Sequence, residues 1–73
     1  MKKFEVGKTY CRTGLFGPSF LIKCIKNDGI NATFVQVGYE SEDSSTIEIE
    51  VYDGGERCIV WEYMGHTGYV YAE

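Results

Sequence analysis

At 73 residues the chain has room for one domain and no second core. With 44% hydrophobic and 25% charged residues it lies outside the disordered range, and its 15% aromatic content supplies the large buried groups a small domain needs. No apolar run, Phe20-Leu21-Ile22 included, approaches the roughly 20 residues that cross a bilayer, and the net charge of −4 opposes unspecific phosphate binding.

No window keeps an apolar stripe at helical spacing, while Val, Ile, Thr, Tyr and Phe dominate and nine glycines punctuate the chain. The expected fold is therefore all-β, with five to six short antiparallel strands in one domain covering residues 1–73. After an opening segment, Phe4-Glu5-Val6-Gly7-Lys8, a first strand is expected near residues 9–13. The loop Gly14-Leu15-Phe16-Gly17-Pro18 leads to a second near 20–26. Asn27-Asp28-Gly29 turns the chain into a third, near 32–39. Residues 40–45 are polar and acidic and read as an exposed loop. The remaining strands are placed at 46–52, 57–63 and 69–72, with Gly65-His66-Thr67-Gly68 as the last loop.

The hairpin over residues 46–63 allows a finer reading. Thr46-Ile47-Glu48-Ile49-Glu50-Val51-Tyr52 alternates with period two, so Ile47, Ile49 and Val51 share a face. A turn at Gly54-Gly55 pairs Tyr52 with Arg57, Val51 with Cys58 and Ile49 with Val60. That register gathers Ile47, Ile49, Val51, Cys58 and Val60 as a core face; a slip of one residue would carry Arg57 inward. The opposite face then holds Thr46, Glu48, Glu50, Tyr52, Arg57, Ile59, Trp61 and Tyr63. Aromatic and apolar groups mixed with carboxylates suit a contact surface, so Glu48, Glu50, Ile59, Trp61 and Tyr63 are the candidate partner-binding residues. The competing reading covers Ile59 and Trp61 with another strand or loop and adds them to the core.

The short strands, the tight glycine turn and the short final strand fit a small SH3-like barrel. The opening Phe4-x-Val6-Gly7-Lys8-x-Tyr10, and Asp53-Gly54-Gly55-Glu56 before a strand, resemble small SH3-like barrel proteins of Gram-positive bacteria and their mobile elements. That resemblance implies the barrel and an accessory role in a phage or mobile element, with no assigned activity.

Little in the sequence points to catalysis or to a cofactor. Cys11, Cys24, Cys58 and His66 lack the close pairs of a zinc site. His66 has no evident orienting partner for a nucleophile, and the carboxylates Glu40, Glu42, Asp43, Glu48 and Glu50 lie on a loop or a strand face. Gly14-Leu15-Phe16-Gly17-Pro18-Ser19 lacks the lysine and following helix of a phosphate loop; Leu15 and Phe16 read either as a cover over one barrel end or as contacts. The expectation is a protein that is not an enzyme, binds no metal or cofactor, and recognises a protein partner or a second copy of itself.

Charge distribution supplies the alternative. Residues 1–26 carry six basic groups (Lys2, Lys3, Lys8, Arg12, Lys23, Lys26) and one acid, whereas residues 27–73 carry ten acids and only Arg57. Either early and late strands neutralise each other, or the basic third binds nucleic acid, or, conversely, Glu40, Glu42, Asp43, Glu48 and Glu50 mimic a nucleic acid toward a basic groove on a target. Met1-Lys2-Lys3 has no apolar run behind it and the three cysteines are odd in number and widely spaced, so the expected compartment is the cytoplasm, with no membrane contact.

Overall fold

The computed structural model describes residues 1–14, 17–38 and 44–72. Six strands follow one another as β1 (Thr9–Arg12), β2 (Phe20–Asn27), β3 (Asn31–Gln36), β4 (Ser45–Tyr52), β5 (Gly55–Tyr63) and β6 (His66–Tyr71). Each pairs antiparallel with the next, so the sheet order equals the chain order. The sheet curls on itself because β4 is shared. Its residues 45–48 pair with β3 and its residues 49–52 pair with β5. The result is a nearly closed, barrel-shaped sheet, the architecture of a small SH3-like barrel. Among the described residues no helix is long and apolar enough to cross a membrane.

The interior follows the two-residue period of the strands. Ile22 and Cys24, Ala32 and Phe34, Cys58, and Val70 with Ala72 point inward and are buried, and Ile47, Ile49 and Val60 pack against them. The opening segment completes this core. Phe4 is buried and meets Tyr10 and Phe34 edge to face, with ring centroids 5.0 and 5.1 Å away. Its backbone is stitched to β5, since Lys2 N–H donates to the Gly54 carbonyl (3.2 Å) and Glu56 N–H donates to the Lys2 carbonyl (2.9 Å). Closure at the other end uses side chains: Arg12 Nη2 donates to the Val60 carbonyl at 3.1 Å, and Trp61 Nε1 to the Thr13 carbonyl at 2.9 Å.

The turns decide three departures from the sequence expectations. Between β4 and β5 the two turn residues are Asp53 and Gly54, at φ 51° and 79°, rather than Gly54-Gly55. This is the primed two-residue geometry for which Asp-Gly is a preferred pair. Tyr52 therefore pairs with Gly55, Val51 with Glu56, Glu50 with Arg57 and Ile49 with Cys58, two residues away from the expected register. A two-residue shift preserves the faces, so Ile47, Ile49, Cys58 and Val60 remain on the core side. It also slides Val51 past the core to the barrel rim, where it is 61% exposed.

The second departure is a further tight turn at Met64-Gly65, at φ 49° and 81°, with Tyr63 paired to His66. Strand β6 thus starts at His66, and the expected loop over residues 65–68 is mostly strand. The third is the end of β3 at Gln36. Val37 and Gly38 turn away, Gly38 at φ 95°, and the expected continuation to Tyr39 lies outside the described residues.

The turn between β2 and β3 forms as the sequence indicates. Asp28 accepts the N–H groups of Ile30 (2.9 Å) and Asn31 (2.7 Å). Those bonds, Asn31 first, hold the Asp28 carboxyl below the usual carboxylate range.

Candidate functional site

Outward-facing residues of β4, β5 and β6 form a surface that the core does not require. Glu48, Glu50 and Tyr52 project from β4, Arg57 and Ile59 from β5, and Tyr69 and Tyr71 from β6. Register brings them together, because Arg57 lies between Glu50 and Tyr71, and Ile59 lies beside Tyr69.

Arg57 organises this face. Its guanidinium carbon lies 3.9 Å from the ring centroids of both Tyr52 and Tyr69, close enough for stacking from two sides. Its Nε donates to Glu50 Oε1 at 2.8 Å, and Nη2 reaches the same oxygen. Burial works against the charge, but the bonds to Glu50 and to Tyr71 prevail and raise Arg57 above its ordinary value. Tyr69 and Tyr71 pack against each other with centroids 5.8 Å apart. The outcome is an ordered aromatic ladder that leaves Tyr52, Ile59 and Tyr71 exposed.

The residues expected at the contact surface divide between two faces. Glu48, Glu50 and Ile59 lie on the outer face. Trp61 and Tyr63 do not, because a β-bulge between Ile59 and Trp61 shifts the pairing by one residue. Trp61 is thereby paired with Gly68, on the side of Val70, and its indole lies directly over the Gly68 backbone, where a side chain would collide with it. Tyr63, two residues on, shares that side and is paired with His66. Tyr69 and Tyr71 take the place of Trp61 and Tyr63 on the outer face. The pattern Gly68-Tyr69-Val70-Tyr71-Ala72, with small or apolar residues alternating with tyrosine, is the signal that places them there.

Beside the ladder, a cleft of about 320 Å³ opens between the Asp53-Gly54 turn, Lys2 and the end of β6. Tyr52 and Tyr71 line it together with Asp53 and Glu56. Glu56 is 4% exposed, and its Oε1 accepts Phe4 N–H (2.9 Å) and Asn27 Nδ2 (3.1 Å). Asn27 Nδ2 also donates to the Phe4 carbonyl at 2.9 Å, so the carboxylate helps to anchor the opening segment.

The fold divides the basic residues of the first third between one depression and β1–β2. Arg12 is drawn into barrel closure and its guanidinium lies over Phe20, and Lys8 pairs with Glu5 at 3.6 Å. Lys2, Lys3 and Lys8 border one open depression, while Lys23 and Lys26 belong to β2. All three thiols are free: Cys11 is exposed, and Cys24 and Cys58 are buried. Burial raises the Cys24 thiol and, with the charge of Glu56, pushes Cys58 up to about 12. Phe16 and the acidic residues Glu40, Glu42 and Asp43 lie outside the described residues.

The molecule is thus a small antiparallel barrel with an outward aromatic ladder. No protein-family model, curated protein or solved structure matches the chain.

Proposed function

We propose that this protein is a non-catalytic interaction module that binds a protein partner through the outer face of β4, β5 and β6. The observation that carries the reading is the clamped Arg57, which holds Tyr52 and Tyr69 in fixed positions on a solvent-facing sheet. Exposed apolar area that is already ordered loses little entropy on binding, which is the property of an interface hot spot. Exposed Glu48 at its border favours a partner that carries basic groups. The non-catalytic part of the reading is supported by the two buried thiols, whose raised pKa values keep them from acting as nucleophiles near neutral pH. Three unbridged cysteines support a reducing compartment, the cytoplasm being the simplest.

Photo-crosslinking tests this. A benzophenone amino acid in place of Tyr71 is expected to give a specific adduct in source-cell extract that Ile59→Glu abolishes. The same probe in place of Leu21, exposed on the other half of the barrel, is expected to give none. Adducts from position 21 that match those from position 71 would sink the assignment of the face. Salt-sensitive binding of single-stranded DNA or RNA that needs Lys2 and Lys3 but not Tyr71 would replace it with the nucleic-acid reading. Sedimentation at several concentrations identifies the case in which the partner is a second copy of the chain.

A further inference from the structure

We infer that the opening in the barrel wall beside Arg12 receives a carboxylate carried on a short apolar group. This site goes beyond the outer face and does not rest on that face being the contact surface.

The first argument is where the wall opens. Residues 45–48 of β4 pair with β3 alone, and β5 beyond Cys58 pairs with β6 alone. The two strands therefore separate after the Ile49–Cys58 pair, and a cavity of about 320 Å³ lies at the gap. Ile22 and Phe34 are its buried walls, while Phe20, Ile47 and Val60 are only partly buried and pack against the core. An incoming group thus meets apolar surface on several sides, as in a small ligand site.

The second argument is the charge placed there. Among the described residues Arg12 is the one charged side chain that lines the cavity. Its guanidinium spans the opening: it lies over the Phe20 ring at 5.2 Å, and Nη2 donates to the Val60 carbonyl at 3.1 Å, both of them lining residues. No described acid answers it, since the ion pairs join Lys8 to Glu5 and Arg57 to Glu50. Its Nε is buried without a hydrogen-bond partner, alone among the buried side-chain nitrogens and oxygens of the described residues. A cation withdrawn from water without a counter-charge is costly, and a carboxylate supplies the charge and the acceptor geometry that suit a guanidinium. A single cation among apolar walls favours one negative charge on a hydrocarbon body over phosphate, whose second charge would be left unpaired. The ring contact and the bond to Val60 already hold the guanidinium, so little freedom is lost on binding.

The test uses the full chain, labelled for NMR and titrated with isocaproate and with the peptide acetyl-Gly-Ser-Gly-Leu bearing a free C-terminus. Each acid is compared with its amide, which has nearly the same shape and no charge. Both acids are expected to move the backbone signals of Ile47, Ile59 and Val60 and the Nε–H signal of Arg12, while the amides leave them in place. Tighter binding of the peptide acid identifies a polypeptide C-terminus as the source of the carboxylate, and tighter binding of isocaproate a free acid. Arg12→Gln should weaken binding about tenfold or more, the loss of a hydrogen bond between charged groups. Because Arg12 also helps to close the barrel, a second variant leaves it in place. Ser45 is exposed, lines the cavity and lies on the same side of β4 as Ile47, so Ser45→Trp should fill the opening and abolish binding with the fold retained. Equal binding of the amides, no movement with either acid, signals that move only elsewhere on the barrel, or unchanged binding by Ser45→Trp would each overturn the inference.

Discussion

The rings of Phe4, Tyr10 and Phe34 meet edge to face inside the barrel, whereas those of Tyr52, Tyr69 and Tyr71 lie outside it with Arg57 among them. The inner trio is buried and joins the opening segment, β1 and β3 into one core. The outer trio lies on a face that faces water. Apolar area removed from water is what stabilises a domain of this size, so the inner rings are required by the fold. Threonine or lysine at the outer positions would suit a solvent-facing strand equally well. Stability accounts for aromatic residues there only through their contacts with Arg57 and one another, and that difference directs attention to the outer face as the place of function.

The most severe way to break the comparison is Phe4→Ala. It removes the ring shared by both edge-to-face contacts, and a loss of about 3–5 kcal/mol is expected in urea denaturation. A loss under about 1 kcal/mol, within the range of ordinary surface substitutions, would mean that the opening segment is not part of the core. Next in size is the carboxylate that anchors this segment. Glu56→Ala leaves the Phe4 N–H without its acceptor and the Asn27 amide with the Phe4 carbonyl alone, a loss of about 1–3 kcal/mol, whereas Glu56→Gln retains an acceptor and most of the stability. Equal losses in the two variants would show that hydrogen bonding is not what Glu56 contributes.

The buried thiols give the interior a pH signature that the exterior lacks. Cys58 is raised from 9.0 to about 12, so above pH 9 the unfolded chain releases a proton that the folded chain retains. Its contribution is therefore intact below pH 9 and declines as pH rises toward 12, by up to about 1.4 kcal/mol per pH unit. Cys24 shifts in the same direction. Cys58→Ala is expected to lower stability at pH 7 and to flatten this alkaline slope. An unchanged slope in the variant would mean that the thiol is not the group responsible.

Much of the interior was legible in the sequence, because the strict alternation at Ile47, Ile49, Cys58 and Val60 survives any even shift in register. Strand number, order of elements and the polar turn at Asp28 follow from equally local rules. The contact face was only half legible, and the reason lies in two backbone details. Asp53-Gly54 and Gly54-Gly55 are both acceptable tight turns, and local chemistry alone did not choose between them. The bulge between Ile59 and Trp61 leaves no composition signal, since neither residue is glycine, yet it reverses which side every later residue of β5 faces. That reversal moved Trp61 and Tyr63 off the face. Phe4 went unnoticed as core because the opening segment is not a regular strand and its burial depends on bonds to residues about fifty positions away.

The smallest expected effect is the one that sharpens the comparison most. Tyr71→Ala, Tyr52→Ala and Ile59→Ala remove exposed groups, and each should alter stability by no more than about 0.5 kcal/mol, apart from the modest shares that Tyr52 draws from its stack on Arg57 and Tyr71 from its bond to Arg57 and its packing on Tyr69. The same three substitutions should abolish crosslinking to the partner. Thermal melts beside crosslinking yields separate the two readouts in one set of proteins. If Tyr71→Ala costs as much stability as a core substitution, the outer ladder is a second core rather than a binding face. If it costs nothing and the partner still binds, the tyrosines are ornament on a surface whose contacts lie elsewhere. Stability retained with binding lost is the pattern that distinguishes aromatic rings kept for a partner from rings kept for the fold.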